Sequence, residues 1–247
     1  MTDRQNILDE LKSKPLERFV RELQAAHGDN LCSVTLYGST AHDEANRQAK
    51  HDVLVVLRRL ELADLQASRE PIQRWTRGGQ PMPVYFSLQE LMRAADVFPI
   101  EFLQMEQARK TLHGSDPFEF IDISNANLRH QTEYELRTKC LQLRRLYVSS
   151  AGSAEQLKSL LTRSLSSFAA LFRAVLMLHG APAPVSKREA VRATVRVLGL
   201  DGAPFDRIVE LESKDIRLEK QEAENLFGSY LAQLRRVIDA VDQIEQN

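Results

Sequence analysis

The sequence is poor in the features that mark several classes of protein. Its two cysteines, Cys32 and Cys140, have no Cys or His partner at metal-ligand spacing, so we interpret them as small buried side chains in a reducing cytosol. The formal net charge of −1 gives no overall basic field for nucleic acid. The longest apolar stretch, around Phe168 to Leu178, is broken by Arg173 and is too short to span a bilayer, and the first residues lack a signal-like apolar core. We therefore expect a soluble, cytoplasmic protein, with neither a membrane nor a nucleic acid as its partner.

What remains is the composition of an ordinary globular protein. The 247 residues are 43% hydrophobic and 27% charged, which suits one large domain or two modest ones. Strand and helix signals are mixed in the first half, whereas long helical periods dominate from about Asn125 onward. We predict an α/β (α+β) fold, with a small mixed-sheet domain over residues 1–120 and an all-α helical bundle over residues 121–247.

Three segments of the first half are strand candidates. Val34 and Leu36 alternate with smaller or polar residues, and the continuous apolar run Val53 to Leu57 is typical of a strand buried on both faces. Pro83 to Phe86 is a short third candidate. The helices predicted around these strands are an entry helix with apolar residues from Ile7 to Leu23 that is broken near Pro15, a helix from about Leu60 to Trp75, a helix beginning at the Ser87/Glu90 capping box, and a short helix after Asp96.

A glycine–serine pair follows the first strand candidate. Glycine permits a tight turn in which backbone N–H groups approach a ligand, and serine can cap the next helix or donate its hydroxyl to a phosphate oxygen. A helix N-terminus would add partial positive charge. Gly38 and Ser39 hold these positions, and Asp52 stands at the start of the next apolar run. The order of strand, turn, helix start and carboxylate predicts a phosphate-binding site.

The residues Leu36-Tyr37-Gly38-Ser39, followed by Asp52-Val53-Leu54-Val55-Val56-Leu57, resemble the nucleotidyltransferase superfamily of the polymerase-beta type. The resemblance covers roughly Leu31 to Gly114. Many bacterial members, including aminoglycoside nucleotidyltransferases, append a helical bundle to this core. The resemblance implies a nucleoside triphosphate or another phosphorylated ligand as partner. It also implies paired carboxylates that hold Mg²⁺, with a third carboxylate on a later strand.

The sequence departs from the family's carboxylate pattern. If Asp52 is the second member of the Asp-x-Asp pair, Lys50 holds the first position; if Asp52 is the first member, Leu54 holds the second. The third carboxylate is expected near Pro83 to Phe86, where there is none. We therefore predict a nucleotidyltransferase-like protein with a degenerate, catalytically impaired site, in which Asp52 is the catalytic candidate and at best a weak ligand for Mg²⁺.

The residues around Asp52 complete the predicted site. Lys50 could neutralise a phosphate directly, and His51 could bond a phosphate or ligate a metal, although a solvated loop is the ordinary location for both. Asp43 and Glu44 in the connector could supply the missing carboxylates. Nucleotide binding is accordingly assigned to four residues: Gly38, Ser39, Lys50 and His51.

Other functions remain open at this stage. An active, metal-dependent nucleotidyltransferase acting on a small-molecule or protein hydroxyl is one alternative. Arg173 and His179 resemble the Arg-x(4–6)-His motif of HEPN ribonucleases, although His179 stands next to Gly180, where a histidine more often contacts terminal helix carbonyls. The apolar stripes of the helical half also allow a homodimer or a protein partner.

Overall fold

The chain divides into two compact units, Met1–Ile123 and Ser124–Asn247. The computed structural model describes residues 15–38, 41, 50–150, 152–184, 186–214 and 216–244. In these residues the first unit combines a four-stranded sheet with helices, and the second is helical throughout. The predicted α/β fold with an all-helical second half is confirmed.

The sheet of the first unit is mixed. Its strands are β1 (Leu31–Tyr37), β2 (Asp52–Leu57), β3 (Val84–Ser87) and β4 (Arg109–Gly114), in the spatial order β3-β2-β1-β4. Strand β1 pairs antiparallel with both β2 and β4, whereas β2 and β3 are parallel. The central strands β1 and β2 therefore carry the core, and β3 and β4 are the edges.

Helices cover both faces of this sheet. Strand β2 is buried on both, as predicted, since Val53 and Val55 belong to one apolar cluster and Leu54 and Val56 to the other. On the first face Trp75 stacks on Phe19 with ring centroids 4.5 Å apart. The helices of this unit are α1 (Pro15–His27), α2 (Leu62–Ala67), α3 (Arg69–Arg77), α4 (Leu88–Ala94) and α5 (Pro99–Gln107).

Two predicted helices have different bounds in the structure. The entry helix α1 begins at Pro15, and the earlier apolar residues from Ile7 to Leu11 lie outside the described residues. The single helix predicted from Leu60 to Trp75 was wrong, because α2 and α3 meet at Ser68. Pro71 has no N–H to donate to the carbonyl of Ala67, so one continuous helix would lack that bond.

Strand β4 was not predicted. Its sequence, Arg-Lys-Thr-Leu-His-Gly, has a single large apolar residue, Leu112, and therefore carries no alternation signal. Charged residues are common on edge strands because they discourage pairing with another chain. The strand forms because it completes the hydrogen bonding of β1, which is a tertiary effect that the local sequence does not report.

The second unit is built around aromatic side chains. Tyr230 is fully buried, and its ring meets those of Phe168 and Phe205 edge-to-face at centroid distances of 6.3 and 5.7 Å. Edge-to-face contacts of this kind add to the burial of apolar area. The helices are α6 (Asn125–Ser150), α7 (Ala154–Leu178), α8 (Lys187–Val197), α9 (Ala203–Ser213) and α10 (Lys220–Asp242).

Helix α7 is long and apolar enough to cross a membrane by length and composition alone. More than half of its apolar window is buried inside the protein. The core helix of a soluble bundle has the same properties, so α7 is weak support for a membrane span.

Candidate functional site

The candidate site lies where β1 ends and β2 begins. Tyr37, the last residue of β1, is paired with Asp52 on one side and with Arg109 on the other. Directly opposed residues of an antiparallel pair point to the same face of the sheet. Three neighbouring strands therefore present a carboxylate, a phenol and a guanidinium side chain on one face, at one end of the sheet.

The turn after β1 depends on Gly38. Its φ angle is +82°, which strains any residue with a Cβ. The carbonyl of Gly38 accepts a hydrogen bond from the N–H of Ala41 at 3.0 Å. A Cβ at position 38 would lie 3.4 Å from Oδ2 of Asp52. The fold thus brings Gly38 and Asp52 together, as the sequence pattern predicts.

The amide of Gly38 is already used within the protein. Its N–H donates to the carbonyl of Ala108 at 2.9 Å and so joins the turn to the residue before β4. The N–H of Ala41 is likewise bonded to Gly38. Ser39 and its neighbour Thr40 lie outside the described residues, so a phosphate contact by the turn amides would depend on those two residues.

Asp52 is exposed as the first residue of β2. Partial burial raises the pKa of Asp52, and the nearby His51 partly offsets this rise. Tyr37 is half-buried, and burial together with the charge of Asp52 raises the pKa of its phenol. No described residue forms an ion pair with Asp52. This carboxylate is therefore available to a cation or a hydrogen-bond donor that the described residues do not supply.

His51 is not in a solvated loop, so that interpretation was wrong. Only 5% of the residue is exposed, and its backbone N–H donates to Oε1 of Gln80 at 2.9 Å. Its Nδ1 atom is buried and has no hydrogen-bond partner among the described residues. The contrast with the exposed Asp52 next to it agrees with the alternation of side chains along an extended chain. Lys50 is exposed, as expected for a loop lysine.

Leu54 and Lys50, the two residues that flank Asp52 at a spacing of two, have opposite surroundings. Leu54 is fully buried in the apolar cluster that contains Leu91 and Phe102. A carboxylate at position 54 would therefore lie in the core, whereas position 50 is exposed. Val84 of β3 pairs with Leu54, and the two residues before it toward the site are Pro83 and Met82, neither of which is acidic.

The described donors do not fit a two-ion magnesium centre. In the part of the chain that the structure describes, no three His, Cys, Asp or Glu side chains come together as metal ligands. Magnesium requires near-octahedral oxygen ligands, and Asp52 is the single acidic residue that β2 and β3 contribute. The connector carboxylates Asp43 and Glu44 lie outside the described residues.

Arg109 is a site residue that the sequence alone did not indicate. Its Nε donates to Oδ2 of Asp116 at 2.8 Å and its Nη1 donates to the carbonyl of Glu106 at 2.6 Å. The guanidinium carbon is 5.3 Å from the ring centroid of Phe118, a cation–π distance. Recognising Arg109 required the pairing of β4 with β1, and β4 carried no strand signal.

Arg173 and His179 of the helical unit both make hydrogen bonds to backbone carbonyls near the end of α7. Nε of Arg173 donates to the carbonyl of Pro184 at 3.0 Å, and burial lowers the pKa of the guanidinium. His179 is the capping residue that follows α7, where its backbone N–H donates to the carbonyl of Val175, and burial lowers the pKa of its imidazole. The arginine thus links α7 to the following loop.

Comparison with known proteins finds similarity in structure but not in sequence. No protein-family model matches the chain, and no curated protein matches it. Among solved structures, the chain is similar to spectinomycin adenyltransferase AAD(9) from Enterococcus faecialis, whose crystal structure contains ATP and spectinomycin. The TM-score is 0.55 and the identity 14%, over 90% of this chain and 98% of that chain. This likeness confirms a nucleotidyltransferase-like fold; at this identity, it is a statement about the fold.

Proposed function

We propose that this protein is a nucleotidyltransferase-like protein that binds a nucleotide or another phosphorylated ligand beside Gly38, Ser39 and Asp52, with impaired metal-dependent transfer. The observation on which the proposal rests is that neither residue two positions from Asp52 is a carboxylate. Leu54 is buried in the core, and Lys50 stands where the family's other carboxylate is expected. The turn at Gly38, with its φ of +82°, supports ligand binding without a complete metal centre.

The ligand class follows from the fold and the turn. The similar adenyltransferase was solved with ATP and spectinomycin, which supports a nucleoside triphosphate as the ligand here. Because Gly38 donates its N–H to Ala108, the turn would contact phosphate through Ser39 and the amide that follows. Nucleoside triphosphates are cytosolic ligands, and the two free cysteines agree with the same compartment.

Calorimetric titration with ATP, GTP, CTP and UTP, with Mg²⁺ and with a chelator, tests the proposal. We expect binding that persists in the chelator and is lost in Gly38→Val. Gly199→Val is the matched control, because Gly199 also has a positive φ, +58°, but lies in the helical unit with no atom within 4 Å of its Cβ position. Absence of binding to all four nucleotides would overturn the proposal.

The same titration distinguishes an active nucleotidyltransferase from the impaired binding protein. If Asp52 holds one Mg²⁺ together with the triphosphate and carboxylates from elsewhere, binding should require Mg²⁺ and weaken in Asp52→Ala. Magnesium-dependent release of pyrophosphate would then follow on addition of the correct acceptor. Binding in the chelator without pyrophosphate release favours the impaired protein.

A protein partner for the helical unit is a second candidate role. Tyr134, Leu141 and Val148 on α6 are 67%, 59% and 78% exposed, and their seven-residue spacing aligns them on one face of the helix, as in paired helices. A second copy of the chain is the simplest occupant of this row. A monomeric mass by light scattering at high protein concentration would exclude the homodimer.

A further inference from the structure

Arg109 lies next to the turn on which the proposed function rests. The hydrogen bond from Gly38 N–H to the carbonyl of Ala108 fixes the residue before Arg109 against the turn. Arg109 and Asp52 flank Tyr37 on the same face of the sheet. Since neighbouring strands are about 4.8 Å apart, the backbones at Arg109 and Asp52 are separated by about 10 Å. A single phosphorylated ligand can therefore lie between these two residues.

The guanidinium of Arg109 is held in place but not fully used. Asp116 accepts from its Nε and the Glu106 carbonyl accepts from its Nη1. No described residue accepts a hydrogen bond from its Nη2, and 24% of the side chain is exposed. An arginine restrained on one edge and open on the other loses little conformational entropy when it binds an oxyanion.

A phosphorylated ligand at this end of the sheet requires positive charge to balance its phosphates. A site whose described residues do not form a two-ion magnesium centre still needs positive charge near the phosphates of its ligand, and arginine suits phosphate oxygens in geometry as well as charge. We propose that Arg109 binds a phosphate group of the nucleotide and supplies part of the positive charge that metal ions provide in the nucleotidyltransferase family. This inference rests on the proposed function and assigns it a residue on β4.

A purely structural role of Arg109 gives a different prediction. If the residue serves only to hold the 3-10 turn at Pro117–Phe120 through Asp116, removing either partner has the same effect. If it binds phosphate, Asp116 competes with the ligand for the guanidinium. Asp116→Asn then leaves the arginine cationic and less neutralised, while Asn keeps the side-chain oxygen that can accept from the N–H of Phe118. The two variants are therefore expected to change nucleotide affinity in opposite directions.

The experiment is a titration of wild-type protein and variants with ATP and with inorganic tripolyphosphate in a chelator. We expect Arg109→Gln to weaken binding of both by roughly ten- to a hundredfold, the usual effect of losing a hydrogen bond to a charged group. Asp116→Asn should strengthen it. Arg93→Gln is the matched control, because Arg93 is exposed on α4 and the variant makes the same change of charge. Thermal unfolding of each variant checks that it is folded.

The outcomes separate the two proposals. Binding by wild-type protein that is equal in Arg109→Gln, or that falls equally in Arg109→Gln and Asp116→Asn, overturns the role of Arg109 and leaves nucleotide binding standing. Loss of affinity in Arg93→Gln as large as in Arg109→Gln overturns it as well, because the effect is then one of general charge. No binding by wild-type protein overturns both.

Discussion

Two carboxylates, one in each unit of the protein, have opposite surroundings. In the helical unit Glu133 lies between Arg129 and Arg137, with N–O distances of 3.1 and 2.7 Å, and the bond from Arg137 lowers its pKa. In the α/β unit Asp52 has no ion-pair partner among the described residues, and burial raises its pKa. The helical unit uses a carboxylate to stabilise its fold, whereas the α/β unit has one that no described residue pairs with.

This difference indicates where a ligand would act. A group whose environment disfavours its charge lowers stability, so its presence is better explained by a task outside folding. The buried Nδ1 of His51, which has no partner among the described residues, belongs to the residue next to this carboxylate. The helical unit also has unpartnered buried atoms, Thr132 Oγ1 and Arg129 Nε, but Arg129 is paired through its other nitrogen. In the α/β unit Tyr85 Oη on β3 also has no partner among the described residues, but His51 and Asp52 are adjacent at one end of the sheet.

The largest expected effect comes from placing a carboxylate on either side of Asp52. Leu54→Asp would put an unpaired charge into the core and should destabilise the α/β unit by about 4 kcal/mol or more. Lys50→Asp changes an exposed position and should leave the free energy of unfolding within about 0.5 kcal/mol. Denaturant unfolding, followed by hydrogen exchange in each unit, measures both. Equal stability of the two variants would contradict the burial of Leu54.

Lys50→Asp should also change how the α/β unit binds nucleotide. It places two carboxylates two residues apart, which is the spacing of the pair in the nucleotidyltransferase family. We expect this variant to bind nucleotide with a dependence on Mg²⁺ that the wild-type protein lacks, as measured by calorimetry with and without a chelator. Lys50→Asn is the control, because it removes the same positive charge without adding a metal ligand. A magnesium dependence equal in both variants would mean that the lost lysine, and not the new carboxylate, is responsible.

A smaller effect is expected from glycines with positive φ in the two units. Gly114 ends β4 with φ +73°, and a Cβ there would lie 1.8 Å from the carbonyl oxygen of Cys32. Gly180 follows α7 with φ +64° and has nothing within 4 Å of its Cβ position. Gly114→Ala should cost about 3 kcal/mol through strain and overlap, and Gly180→Ala about 1 kcal/mol through strain alone. Similar losses, measured by denaturant unfolding, would contradict the close packing of β4 on β1.

The helical unit could be predicted from sequence to a greater extent than the site. Its apolar stripes are local and repeat every turn, so positions such as Phe168 and Tyr230 are recognisable without tertiary information. The same holds for the buried run Val53 to Leu57. Strand β4 forms only because β1 has an open edge, and Arg109 reaches the site only through the register of that pair.

His51, like Arg109, has an environment that depends on residues distant in the sequence. Its backbone N–H donates to Gln80, a residue 29 positions later, and no local pattern in the sequence predicts such a contact. Gly38 and Asp52 were predictable as neighbours because family resemblance supplies the long-range information that periodicity lacks. That resemblance did not indicate that the Gly38 N–H would be used by Ala108.

The smallest expected effect tests directly that the pKa shifts of Asp52 and Glu133 have opposite signs. Because burial raises the folded-state pKa of Asp52, the unfolded chain loses this proton first as the pH rises, and stability falls from the unfolded pKa of about 3.9 upward. Asp52→Asn should therefore raise the Tm slightly at pH 7, and the gain should vanish below about pH 4. Glu133 has a lowered pKa, so its contribution is present above the unfolded pKa and is lost in acid. Glu133→Gln should accordingly lower the Tm at pH 7. Thermal melts from pH 3 to 8 measure both, and a Tm that falls in Asp52→Asn would mean that Asp52 stabilises the fold after all.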